Sequence, residues 1–148
     1  MSETPNTSWT PRSPFAEVGG YVWLPRLLDK CRHVTSHPDA TYMSLDASFL
    51  DQQFLRSLGL TSTQIVEWVR EGLSDEAIAA RVAEHCGHDA TAIAAWSDRF
   101  TRQWKLVFVA FDADEGRMAP GLRQAFLKAV VNALFTVAST LQGHRPGA

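Results

Sequence analysis

Apolar residues recur at helical spacing in six stretches of the chain. In the first, Leu24, Leu27, Leu28, Cys31 and Thr35 share one stripe at about 100° per residue, with Val22, Pro25, Arg26, Asp29, Lys30 and His33 opposite. That predicts a first helix from about Tyr21 to Val34. Pro25 falls early in it, where it costs least, or marks its true start. Just upstream, Ser13-Pro14 reads as a cap with proline at the first helical position, and a short turn through Val18 ends at Gly19-Gly20. Phe49, Leu50, Phe54, Leu55 and Leu58 form the second stripe, with Asp46 as N-cap and Gly59 as stop. Thr61 and Gln64 have the spacing of a capping box, followed by Ile65, Trp68 and Val69 and closed by Gly72. Ser74 caps the fourth helix, with Asp75 and Glu76 suited to its positive end, Ile78 and Val82 inside, and Gly87 as terminator.

The fifth helix starts near Asp89 or Thr91 and carries Ile93, Trp96, Phe100, Trp104, Val107 or Phe108, and Phe111. Residues 106–111 are apolar throughout, so a buried strand is an alternative there. Asp112 to Arg117 breaks the pattern. Pro120 then opens a last helix that runs to Leu141 and is apolar almost all round, so it either lies central to a core or pairs with a second copy. These elements predict an all-α, single-domain bundle of about six helices, with one short extended segment near Tyr42. Residues 1–12, rich in Ser, Thr and Pro, read as a flexible arm, 13–117 as the helical core, and 118–148 as the apolar C-terminal helix. Trp9 is out of place in such an arm, and docking onto the domain is its expected use.

Composition narrows the function classes. A chain of 148 residues with 45% hydrophobic content can close one modest core without metals or disulfides. A net charge of −2 argues against coating nucleic acid or anionic membrane, both of which require a positive field. Two cysteines, Cys31 and Cys86, suit free thiols in a reducing cytoplasm. The start lacks the basic and apolar run of a secretory signal, and no segment reaches the ~18 apolar residues of a membrane span. The expectation is a cytoplasmic chain with no membrane association.

Candidate chemistry gathers on the first helix. Arg26 and Lys30 are four apart, as are Asp29 and His33, so their side chains are within reach of one another. A carboxylate beside a guanidinium, an ammonium and an imidazole can bind an anion or hold an acid–base pair, with Tyr21 adding a phenol and Trp23 a wall. Asp29, Lys30 and Tyr21 are the catalytic candidates. Trp23, Arg26, Asp46, Asp112, Asp114 and Arg117 are the ligand-binding ones. The competing reading is a solvated face laced with weak ion pairs, which such spacing produces more often.

Other patterns carry less. Cys31, His33 and His37 form one set and His85, Cys86 and His88 another, but their spacing fits no standard zinc site, and no metal is assigned. Asp112-Ala113-Asp114-Glu115-Gly116 opens like a calcium loop, yet Arg123 stands where a bidentate Glu is needed, so a turn with Arg117 paired back to an acid is the better reading. Residues 72–82 have the small and apolar pattern of a helix-turn-helix scaffold. The next helix opens (Ala90–Trp96) without Arg, Lys, Asn or Gln to read bases, which argues against DNA binding. Phosphate-loop, dinucleotide and nucleophile-elbow motifs are missing, and no cofactor is assigned.

Taken together, Gly19-Gly20, Trp23-Leu24-Pro25-Arg26, Asp29-Lys30, Arg32, Tyr42, Asp51, Phe54-Leu55, Leu58-Gly59, Gly72, Ser74-Asp75-Glu76, Trp96 and the closing Phe111-Asp112, Asp114-Glu115-Gly116-Arg117 resemble a bacterial domain-of-unknown-function family, the one numbered five thousand and sixty-nine. The likeness covers about residues 12–117. Between Trp96 and Phe111 the chain is shorter than the family pattern, and residues 118–148 lie beyond it. The resemblance implies a bacterial, soluble domain and no catalytic residues. It draws the first helix and the acidic turn together as one expected site of Arg26, Asp29, Lys30, Asp112, Asp114, Glu115 and Arg117. The function expected is binding of a small polar or anionic molecule, or a small enzyme built on the same groups. The alternatives are a homodimer through residues 120–141 and a DNA-binding regulator.

Overall fold

The structure is a computed structural model and describes residues 9–37, 48–117 and 132. The extended piece expected near Tyr42, the cap expected at Asp46 and the helix expected over 120–141 lie outside the described residues. The chain divides into two compact units, residues 1–103 and 104–148.

The described part is mostly helical, with a short two-stranded sheet at its start. Strands β1 (Glu17–Val18) and β2 (Tyr21–Val22) precede α1 (Leu24–Ser36), α2 (Phe49–Leu58), α3 (Ser62–Arg70), α4 (Asp75–Cys86) and α5 (Ala90–Asp114). The fold is thus roughly all-α, with five helices among the described residues where about six were expected for the whole chain, and with a hairpin the pattern did not predict. Gly19 and Gly20 both adopt positive φ, at 58° and 86°, which suits the two-residue turn that joins twisted antiparallel strands. Glu17 then faces Val22, and Val18 faces Tyr21. The glycines are also needed for space: a Cβ on Gly19 would lie 2.6 Å from the Ala79 Cβ, and one on Gly20 2.9 Å from Ile93 Cγ2. Upstream, Ser13-Pro14 makes a turn closed by Ala16 N–H to Ser13 O, not a helix start.

Local chemistry explains the helix ends. Pro25 occupies the first turn of α1, where its missing N–H is not needed, so Leu24 and not Tyr21 begins the helix. Ser48, in place of the expected Asp46, caps α2 and Ser74 caps α4, each accepting from the backbone N–H three residues on. The Thr61–Gln64 capping box is complete, with both reciprocal bonds formed. Gly59 and Gly87 end α2 and α4 in the left-handed conformation. Asp89 Oδ1 accepts from Ala92 N–H at 2.8 Å at the head of α5. That helix is unbroken through residues 106–111, so the strand alternative does not hold.

In the first unit, α1 packs against α3, α4 and β1. Phe54 meets the edge of Trp96 at 5.4 Å, Trp96 stacks on Phe100 at 5.0 Å, and Tyr21 meets Trp96 at 5.5 Å. Ser97 fixes the hairpin to α5: its hydroxyl donates to Gly20 O at 2.5 Å and accepts from Val22 N–H at 3.2 Å. In the second unit, Phe108 and Ala113 of α5 are fully buried. No helix among the described residues is long and apolar enough to cross a membrane.

Candidate functional site

Helix α1 is buried on both faces through its first two turns. Leu24, Leu27 and Leu28 are inside, as the stripe requires, but so are Arg26 (2% exposed) and Lys30 (5%). The face expected to be solvated is therefore not. What accepts its charge is the indole of Trp23 and the carboxylate of Asp51, both fully buried. Lys30 Nζ donates to Asp51 Oδ2. Trp23 Nε1 donates to Asp51 Oδ1 at 2.8 Å. The Lys30 ammonium stands 5.2 Å from the indole centroid and the Arg26 guanidinium carbon 5.5 Å, both within range of the ring's negative face. Arg26 also donates to Arg12 O at 3.2 Å. Asp51 sits in the first turn of α2, where the helix's positive end favours a carboxylate.

Trp23 takes this position at the expense of its backbone. Its φ is 69°, alone among the described non-glycine residues in being positive. A bulky residue there stores about 1–3 kcal/mol of strain, which the surrounding contacts must offset. Trp23 N–H donates to Pro14 O at 3.1 Å, and Trp23 O accepts from Leu27 N–H at 3.0 Å, which pins the residue from both sides.

Another side of α1 carries a different cluster. Arg12 reaches Asp29 three times: backbone N–H to Oδ2 at 2.8 Å, Nε to Oδ2 at 2.9 Å and Nη2 to Oδ1 at 2.9 Å. The same Nη2 meets Asp75 Oδ2 of α4 at 2.8 Å, and Arg32 donates to Asp75 Oδ1. Two guanidinium groups and two carboxylates thus alternate across the α1–α4 junction. The hydrogen bond to Asp29 raises the affinity of Arg12 for its proton, partial burial works against this, and Asp75 adds to the rise. At Asp75 burial opposes ionisation, but the bonds from Arg32 and Arg12 prevail and hold the carboxyl below its ordinary value.

Beside this network is an open groove of about 560 Å³ lined by Trp9, Asp29, Arg32, His33, Ser36 and His37. Trp9 stacks on His33 with ring centroids 3.9 Å apart and planes 10° from parallel, so the aromatic of the N-terminal arm docks on the domain. His33 also stacks with His37 at 4.6 Å. His37 Nδ1 lies 3.2 Å from His33 O at the end of the helix. A second, smaller cavity of about 400 Å³ lies between the glycine hairpin and the first half of α5 and includes Glu17, Ser97 and Asp98.

Residues 8–126 of the chain match a family model, Domain of unknown function (DUF5069). The chain belongs to this family. The match reaches further at both ends than the motifs do. No curated protein and no solved structure matches the chain. Membership in DUF5069 brings no assigned reaction, so the roles of the groups rest on their geometry.

The remaining residues of this DUF5069 domain are placed as follows. Tyr21 is buried on β2, with its hydroxyl 2.9 Å from His88 Nδ1, and burial, with a smaller electrostatic push from Cys86, pushes the phenol up to about 12. Cys31 is buried and Cys86 half-buried; burial raises both thiols above their ordinary value. Cys86 Sγ donates to Leu58 O at 3.3 Å, and His85 Nε2 meets Gly59 O at 2.9 Å. Among the described residues, no three His, Cys, Asp or Glu side chains gather as a metal ion needs. Asp112, Asp114, Glu115 and Arg117 belong to the second unit, where Arg117 pairs back to Glu115 and, at 3.4 Å, to Asp112. Arg26, Asp29 and Lys30 belong to the first.

Arg12 and Asp51 take roles that spacing along α1 gives no hint of. Arg12 closes an arm with no pattern of its own. Asp51 stands 21 residues from Lys30, and in the sequence it is marked by the family resemblance alone.

Proposed function

We propose that this chain is a small-molecule-binding protein whose ligand occupies the groove along the second half of α1. The observation that carries this reading is the groove itself. Its volume of about 560 Å³ lies within the usual range for ligand sites, and ring faces from Trp9, His33 and His37 share its lining with the polar groups of Asp29, Arg32 and Ser36. Flat walls with a few fixed polar groups suit a small polar molecule. The charges are held in place before any ligand arrives: Asp29 by Arg12, and Arg32 by Asp75. Groups already positioned lose little freedom on binding. In this reading the buried Trp23, Arg26, Lys30 and Asp51 set the pitch and rotation of α1 and do not touch the ligand.

The test is a binding screen by ligand-observed NMR over small polar heteroaromatic and anionic compounds, repeated on His33→Ala and Asp29→Asn. Binding should be lost or weakened in both. Unchanged binding in both variants, folded as judged by circular dichroism, removes the reading.

A further inference from the structure

We infer that the cavity between the glycine hairpin and α5 is a second ligand site, and that it takes a small organic cation, an amine on a compact apolar body. It is separate from the groove along α1 and does not depend on the reading of that groove. The cavity measures about 400 Å³, inside the usual range for ligand sites. All of its lining belongs to the first unit. Small residues on one face of α5 make the room: Ala94 and Thr101, two turns apart, stand where larger side chains would close on the hairpin. Val22 and Ile93 complete an apolar floor.

The charge on this lining has one sign. Glu17 and Asp98 are its charged members, and no basic residue joins them among the described residues. Both are exposed, so they stand at the open side, above the apolar floor. The register of the hairpin aims Glu17 there. It lies directly across from Val22, and opposite residues on antiparallel strands project from the same face. The Glu17 carboxylate has no ion pair or hydrogen bond among the described residues, and the Thr101 hydroxyl has no hydrogen bond there. Asp98 meets Arg102 at 2.8 Å, a contact in water that an incoming cation can share. Apolar walls with carboxylates at the mouth fit a molecule with an oily body and one ammonium. A bare metal ion does not fit, because among the described residues no three His, Cys, Asp or Glu side chains gather to hold one. An anion would meet like charge.

The experiment titrates benzylamine and cyclohexylamine into the full chain at low salt, follows the backbone amides of Gly20 and Ser97 by NMR, and takes the dissociation constants. Benzyl alcohol, of the same shape without the charge, and benzoate are the controls. The amines should shift both amides, benzyl alcohol should bind more weakly, and benzoate should not bind. Glu17→Gln should weaken the amines by about two- to fivefold, the span of one exposed ion pair, and leave benzyl alcohol unchanged. The gap between amine and alcohol should close as salt rises. Ala94→Leu, at an exposed helical position, should fill the cavity and abolish binding while circular dichroism stays native. No cation site exists here if neither amine shifts Gly20 and Ser97, if benzyl alcohol binds as tightly as the amines, if Glu17→Gln leaves the amines unchanged, or if Ala94→Leu binds them as the wild type does. Each of these results leaves the groove on α1 standing.

Discussion

One helix carries two charged clusters of similar composition and opposite character. On one side of it Arg26 and Lys30 are shut away with Trp23 and Asp51; on another Asp29 and Arg32 meet Arg12 and Asp75 at the surface, with side chains between 19% and 43% exposed. The same residue types serve different ends because water reaches one cluster and not the other. In the buried cluster each charge depends on its protein partners, since water does not reach it. In the open one water replaces any partner that is lost, and the pairs position side chains more than they stabilise the fold.

The strongest way to break this contrast is Asp51→Ala. It leaves the Lys30 ammonium buried without its counter-charge and Trp23 Nε1 without its acceptor, and should cost about 3–5 kcal/mol in urea unfolding. Asp51→Asn retains an acceptor for the indole and should cost about 1 kcal/mol less. Arg12→Ala tests the other side. It removes pairs at the surface worth about 0.2–1 kcal/mol each, and the loss should shrink as salt is raised, which the Asp51 variants should not show. An Arg12→Ala loss as large as that of Asp51→Ala would erase the distinction between the clusters. The smallest effect sharpens it by pH. The folded pKa of Asp75 is depressed, so its contribution is fully present above the ordinary carboxylate value of about 3.9 and is lost as pH falls through the folded value. Unfolding midpoints should drop in that acid window, and Asp75→Asn should remove part of the slope.

Much of the framework was legible because it is local. Thr61 and Gln64, Ser74, Gly59 and Gly87 each signal a helix end through bonds that span only a few residues, and all act as their type predicts. The hairpin was missed although its signal was present: a Gly-Gly pair between Glu17-Val18 and Tyr21-Val22 is a two-residue turn, and the helical stripe after it drew the first helix back across β2. The fate of Arg26 and Lys30 could not be read from α1 at all. Helical periodicity sorts apolar from polar positions, but whether a polar face meets water depends on what packs over it, here a carboxylate 21 residues away from Lys30. The docking of Trp9 agreed with expectation, while the identity of its platform, His33, required the fold.

The hydroxyl of Ser97 has a consequence for motion in the first unit. It holds Gly20 O with its proton and Val22 N–H with its lone pair, so one small side chain ties the end of the glycine turn and the strand after it to α5. Deuterium exchange at the Val22 amide should therefore report how often this contact opens, and Ser97→Ala should speed it.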